Sequence, residues 1–268
     1  MRDWNAATYH RVSDPQFEWG LPVLARLHLD GDERVIDVGC GTGRLTEKLL
    51  ERVPRGDVLA LDLSFNMLQT AREYLRPRFG HRVLFAQGDA AGLPVACDAD
   101  AIFSTATFHW VLDHPMLFKS LYAALKPGGR LVAQCGGVRN IQRVHDRCAA
   151  LAIDPEFAPY FSGWTGPWHF ADPDETAERL KKAGFVSVAT SLESTPFVPP
   201  DADAFKEFMT TIVCRHHLSR LPDEELQNRF MEQLTEKAAT DNPPFELDYW
   251  RLNIDATRPL SAEGSRSA

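Results

Sequence analysis

The chain has 268 residues, of which 44% are apolar, and a formal net charge of −8. That length suits one elaborated domain or two small ones, and the apolar share is enough to bury a core, which excludes a disordered or collagen-like chain. An acidic surplus without a basic cluster argues against a nucleic-acid footprint, so no nucleic-acid partner is expected.

Residues 1–30 read as a polar lead followed by one helix. Asp14 is its N-cap, Pro15 suits the first helical position, Phe17, Leu21, Leu24 and Leu27 share a face, and Pro22 should kink it. RVIDVG (34–39) is a short β-branched run ending in glycine, the pattern of a buried parallel strand. Leu45, Leu49 and Val53 predict a helix over 44–53, and VLALDL (58–63) a second strand. Ser64 then caps a helix that Pro77 should stop. VLFAQGD (83–89) and AIFSTATF (101–108) are further strands, and Pro115–Lys126 is a helix closed by Pro127-Gly128-Gly129 before the strand RLVAQCG (130–136). Strands alternating with helices imply right-handed βαβ units and a mostly parallel sheet.

Beyond Gly137 the rhythm changes. Residues 138–151 look helical, whereas 157–170 are crowded with aromatics and predicted irregular. Asp172-Pro173-Asp174-Glu175 is a strong helix start, Gly184 ends that helix, and FVSVATSL (185–192) is a strand. Residues 201–213 and 223–238 read as two amphipathic helices. FELDYWRLNIDAT (245–257) alternates apolar and polar residues, which marks it as the antiparallel strand inserted next to the fifth. The tail SAEGSRSA is read as frayed.

The five cysteines are scattered and none forms a C-x-x-C pair, so neither a disulfide framework nor a metal site is expected. The N-terminus lacks an apolar signal core and no segment approaches the ~18 apolar residues needed to span a bilayer. A soluble, cytoplasmic chain with no membrane partner is expected, with its oligomeric state open.

The chemistry concentrates in Asp37-Val38-Gly39-Cys40-Gly41-Thr42-Gly43, at the end of the first strand. Glycine at every second position lets the backbone turn sharply and approach a ligand without Cβ obstruction. Nineteen residues after Gly43, Asp62 ends the second strand, where a carboxylate can accept both hydroxyl protons of a ribose. A nicotinamide dinucleotide would call for G-x-G-x-x-G and a phosphate at the helix N-terminus. Here the spacing is G-x-G-x-G, and Asp37 would repel a pyrophosphate but attract an ammonium or sulfonium group. Together with Gly88-Asp89 after the third strand, the pattern points to S-adenosyl-L-methionine.

Over about residues 1–195 the chain resembles the class I S-adenosylmethionine-dependent methyltransferases. Trp4-Asn5 with Tyr9, Phe108-His109-Trp110 and FADPDETAERLKKAGF (170–185) make it most similar to the trans-aconitate, juvenile hormone acid and malonyl-carrier-protein methyltransferases, which esterify carboxylates. The resemblance implies a Rossmann-like, doubly wound, seven-stranded α/β sheet with its last strand antiparallel, a helical lead over 1–30 and a cofactor core over 31–137. Helical cap segments (138–170 and 197–240) would cover the acceptor pocket, with 171–196 and 241–258 completing the core and 259–268 as tail. It further implies that Asp37, Gly39, Cys40, Gly41, Thr42 and Gly43 wrap the methionine part of the cofactor. Asp62 and Leu63 would meet the ribose, Gly88, Asp89, Ala90 and Met67 the adenine, and Tyr9 and Thr105 would complete the cofactor set.

For the acceptor the candidates are His109 and Trp110 after the fourth strand, Gln16 in the lead, and Trp164 and Trp168 in the aromatic segment. His109 is the catalytic candidate, as an orienting group for a carboxylate or as a base for a hydroxyl or carbon acceptor. Many relatives carry Gln there. Cys40 reads as a small space-filler, and His216-His217, adjacent on a helix, point apart and cannot chelate one metal together. The expected activity is methyl transfer to a small-molecule carboxylate oxygen. The alternatives are O- or C-methylation of a hydroxylated or polyketide-like compound with His109 as base, a nicotinamide-dependent oxidoreductase, or a cofactor-binding protein without catalysis.

Overall fold

Short β-branched runs separated by helices settle into parallel neighbours buried on both faces. The protein, a computed structural model, is described over residues 14–260. Its strands are β1 (Arg34–Val38), β2 (Asp57–Asp62), β3 (Val83–Gln87), β4 (Ala99–Thr105), β5 (Leu125–Gly136), β6 (Val186–Ser194) and β7 (Trp250–Thr257). They form one sheet in the order β3-β2-β1-β4-β5-β7-β6. Its helices are α1 (Asp14–Arg26), α2 (Arg44–Arg52), α3 (Phe65–Phe79), α4 (His114–Ala124), α5 (Gln142–Ala152), α6 (Ala158–Phe161), α7 (Pro173–Ala183), α8 (Ala202–Phe208), α9 (Arg215–Leu218) and α10 (Glu224–Ala239). A π-helical stretch, Met209–Val213, continues α8. No helix among the described residues is long and apolar enough to cross a membrane.

β1 is an interior strand: four of its five residues are buried and it pairs in parallel with both β2 and β4. β7 lies antiparallel between β5 and β6, as its alternation predicts, with Ala133 opposite Ile254 and Gly136 opposite Arg251. It starts at Trp250 rather than Phe245, because Phe245 takes a left-handed φ of 64° after two prolines and breaks the extension. Leu252, Ile254 and Ala256 enter the core beneath α4 and α7. On the opposite face α1 meets Asn253: Arg26 Nη1 donates to Asn253 Oδ1 at 2.6 Å and Arg26 Nη2 to the Ala133 carbonyl at 3.0 Å.

Three apolar clusters fill the molecule. One packs the sheet against α4 and α7, another packs its other face against α1, α2 and α3, and a third unites α5, α6, α8 and α10 around Phe157, Phe205 and Phe230. Cap residues predicted the helix ends well: Ser64 Oγ accepts from Met67 N at 3.2 Å, and Asp172 Oδ1 from Asp174 N at 2.8 Å. Other expectations are corrected: the helix read to Lys126 ends at Ala124, and β5 takes in Pro127-Gly128-Gly129, read as a turn before it. Pro77 does not stop α3, which runs to Phe79; near a helix end a proline forfeits only one intrahelical bond, and Gly80, whose N–H donates to the Arg76 carbonyl, ends it. The helix expected from residue 138 starts at Gln142, since Arg139 and Ile141 take left-handed φ angles and Asn140 Oδ1 accepts from Trp250 N at 3.0 Å.

Ile254, 1% exposed, carries the packing of the reversed strand. Ile254→Ala should cost about 2–5 kcal/mol, read as a lower urea midpoint with an unchanged slope.

Candidate active site

The first β-to-helix turn is left-handed at each glycine: φ is 77° at Gly39, 54° at Gly41 and 87° at Gly43. A Cβ on Gly39 would stand 2.0 Å from Thr107 Oγ1, so two chain segments close here that no larger residue would allow. The turn is fastened to β2. Gly39 N and Cys40 N both donate to the Leu61 carbonyl (2.8 and 3.0 Å), and Gly41 N donates to Asp62 Oδ2 at 2.9 Å. The other Asp62 oxygen accepts from Ser64 N at 2.8 Å, so this carboxylate clamps the glycine loop to the start of α3. Asp37 is 3% exposed and accepts from Thr46 Oγ1 at 2.6 Å. Burial pushes its carboxyl up to about 7, against the Thr46 hydrogen bond and with the Asp62 charge adding to the rise. A carboxylate so poised gains from a nearby cation.

These elements open onto a cavity of about 880 Å³ at the carboxyl edge of the parallel strands. Of the residues singled out from sequence, Gln16, Gly39, Gly41, Asp62, Leu63, Met67, Gly88, Asp89, Ala90, Thr105, His109, Trp110, Trp164 and Trp168 all line it. Asp37, Cys40, Thr42 and Gly43 are not on its wall; they sit behind the loop and shape it. Cys40 is buried and its thiol donates to the Gly41 carbonyl at 3.6 Å, in keeping with a space-filler. Asp89 caps the turn after β3 by accepting from Ala91 N at 2.9 Å. Tyr9, like Trp4 and Asn5, lies outside the described residues.

The wall also holds residues that the sequence reading missed: Asn140, Phe170, Arg215, His216, Arg220, Tyr249 and Arg251. His216, given no role in the sequence reading beyond being unable to chelate with His217, faces the cavity with its ring centroid 5.1 Å from that of Trp110. The acids on the wall are Asp62, Asp89 and Asp113, at β2, β3 and the start of α4; the arginines come from the cap and β7. The two sides of the cavity are thus opposite in charge.

His109 sits where they meet. Its Nδ1 accepts from Gly136 N at 3.2 Å, which leaves the ring proton on Nε2. Burial, then the Arg251 charge and His114, push its pKa down to about 3. It is therefore a neutral hydrogen-bond donor at physiological pH, and a poor proton acceptor. The reading of His109 as a base for a hydroxyl or carbon acceptor is not favoured.

The model of the methyltransferase domain family matches residues 35–129. Trans-aconitate 2-methyltransferase of Deinococcus radiodurans is 31% identical over 96% of this chain and 98% of its own length. The chain belongs to the trans-aconitate 2-methyltransferase family of S-adenosyl-L-methionine-dependent methyltransferases. The enzyme of that name from Variovorax paradoxus is 36% identical over 68% of this chain and 63% of its own. Among solved structures, phosphoethanolamine N-methyltransferase 2 of Haemonchus contortus, in complex with phosphomonomethylethanolamine and S-adenosylhomocysteine, superposes with a TM-score of 0.61. It is 20% identical, over 96% of this chain and 57% of that one. The [4+2]-cyclase SpnF gives the same TM-score at 19% identity, over 91% and 82% of the two chains. At such identities the likeness shows the fold alone.

The cofactor of this family is S-adenosyl-L-methionine, and the residues present fit it. The left-handed turn that brings the Gly39 and Gly41 backbone to the cavity wall, with the Asp62 and Asp89 carboxylates beside it, suits a ligand with hydroxyls, an ammonium and a sulfonium.

Asp62→Ala should weaken S-adenosylhomocysteine binding by about 1.5–3 kcal/mol in calorimetry, with an unchanged circular dichroism spectrum. Asp62→Asn should do no better, because its NH₂ would face a backbone N–H of Gly41 or Ser64. A second expectation concerns acid. The unfolded His109 binds a proton near pH ~6.5 and the folded one only near 3, so folding stability is full above ~6.5 and declines as the pH falls towards 3. His109→Gln should flatten that decline in urea titrations across this range.

Proposed function

We propose that the protein esterifies a carboxylate of a small polycarboxylic acid, with Arg251 as its principal anchor. The observation that carries this reading is a buried arginine that has no ion pair among the described residues. Arg251 is 5% exposed and lines the cavity, and its Nε and Nη2 have no hydrogen-bond partner among the described residues. The guanidinium carbon lies 3.5 Å from the Trp19 ring centroid and 4.4 Å from that of Tyr249, so aromatic faces hold it from two directions. Glu193, opposite in the sheet register, accepts instead from Asn253 Nδ2 at 3.3 Å. Burial lowers the Arg251 pKa to about 10, still charged at neutral pH. A buried, unpaired cation is costly, and a carboxylate from the ligand removes that cost through a bidentate pair. Arg215 and Arg220 on the same wall favour an acceptor with more than one acid group. The relatives' name, trans-aconitate 2-methyltransferase, agrees with an unsaturated tricarboxylic acid.

A carboxylate is already ionised at neutral pH, so the reaction requires no base. When bound, S-adenosyl-L-methionine supplies a methyl group on a sulfonium sulfur. The chain aligns the nucleophile and excludes water: Arg251 fixes the anion, the Nε2–H of His109 orients it, and Trp110, Trp164, Trp168 and Phe170 wall off solvent. The glycine loop and Asp62 hold the donor half.

Arg251→Met keeps an unbranched apolar stem but removes the guanidinium and its charge. It should lower kcat/KM for a tricarboxylate acceptor by at least ~10²-fold, about 2.7 kcal/mol, and leave S-adenosylhomocysteine affinity within about twofold. Its thermal stability should hold or rise, since an unpaired buried charge is gone. Labelled-methyl transfer to a panel of mono-, di- and tricarboxylates checks the reading, and a variant with unimpaired kcat/KM would refute it.

A further inference from the structure

Two of the thiols meet inside the cap. Cys148 on α5 and Cys214, just before α9, place their sulfurs 3.9 Å apart, and one ring nitrogen of His217 lies with both sulfurs inside a 4.8 Å group. All three residues are buried, at 2%, 0% and 4% exposure. Buried cysteines commonly act as small apolar fillers, which would account for the two thiols. It does not account for His217. That ring sits among Trp164, Trp168, Phe161 and Phe230, with centroids 4.7, 5.2, 6.2 and 6.2 Å away; it interacts with the Cys148 thiol, while its buried Nδ1 makes no close hydrogen bond among the described residues. An orphaned polar atom in an aromatic setting carries a desolvation cost that a ligand bond would remove.

The spacing discriminates between outcomes. A disulfide needs its sulfurs at ~2.05 Å. A tetrahedral zinc ion, with Zn–S bonds of ~2.3 Å, holds two thiolates ~3.8 Å apart. The observed 3.9 Å, at which the two thiols share a hydrogen bond, excludes a formed disulfide and matches the edge that a zinc ion would need. Charge points the same way, because a dipositive ion with two thiolates and one neutral imidazole is neutral overall and suits an apolar core. Cys214 and His217 are three apart on one helical turn and so share a face, which the neighbouring His216 cannot do.

We propose that Cys148, Cys214 and His217 form a zinc site inside the cap, with a fourth coordination position open. Binding releases one proton from each thiol, and no electron transfer is involved. The site would tie α5 to α9, the helix that carries Arg215 and His216 onto the cavity wall. It holds the acceptor side in shape and takes no part in the chemistry. This inference stands independently of the acceptor assigned above.

The 268-residue chain, expressed with zinc and desalted, should retain about one zinc per chain by elemental mass spectrometry. Cadmium titrated into the zinc-free protein should raise an ultraviolet thiolate-to-metal charge-transfer band. Cys148→Ser/Cys214→Ser should lose both signals and keep its circular dichroism spectrum and S-adenosylhomocysteine affinity. His217→Gln should surrender zinc to a chelator at least tenfold more readily. A wild-type chain that neither retains zinc nor gives the cadmium band overturns the proposal, as does an intact mass showing Cys148 and Cys214 joined in a disulfide. Both of these are read on the wild-type chain and hold whether or not the variants fold.

Discussion

A strand that runs against its neighbours delivers its first residues, rather than its last, to the edge where the parallel strands end. β7 does so between β5 and β6, and it brings Arg251 beside Gly136 at the mouth of the cavity. Residues from three parts of the chain answer to that cation. Trp19 from α1 and Tyr249 cover its faces, and its charge contributes to the low pKa that keeps His109 neutral. Gly136, its partner in the register, also fixes the His109 tautomer through its own N–H.

The cavity is therefore polarised, with acids at the ends of β2 and β3 and arginines from β7 and the cap. A sulfonium and a carboxylate placed between these walls react to give a neutral sulfide and a neutral ester. Charge disappears along that path, so removal of water favours the transition state over the separated ions. In the function proposed above, the aromatic wall serves the reaction by keeping water out.

What could be read in the sequence was what short-range rules govern. The strands around β1, the caps at Ser64 and Asp172 and the glycine loop follow from local pattern, and so does the reversed strand, whose alternation differs from that of a fully buried one. Pro77 and the late start of α5 turn on single backbone bonds that pattern does not register. Arg251 was hidden for another reason. In the sequence it is one charge in an alternating strand, and only the register with β5 and the approach of Trp19 reveal that it is buried and unpaired. His217 was likewise judged against its neighbour His216, whereas its companions are 69 residues upstream on α5 and three upstream in its own turn, brought together by packing.

The cap has a hydrophobic cluster of its own, whose buried residues belong to neither cluster on the sheet. A substitution that repacks Phe157, Phe205 or Phe230 meets other cap residues before it meets the cofactor cradle. In the role proposed for the cap, drift in its side of the cavity wall leaves the donor side untouched. The same arrangement offers a protein engineer a separable part: cap segments could be exchanged between relatives to reshape the cavity wall around Arg251 while β7, the glycine loop and its clamp to β2 stay as they are.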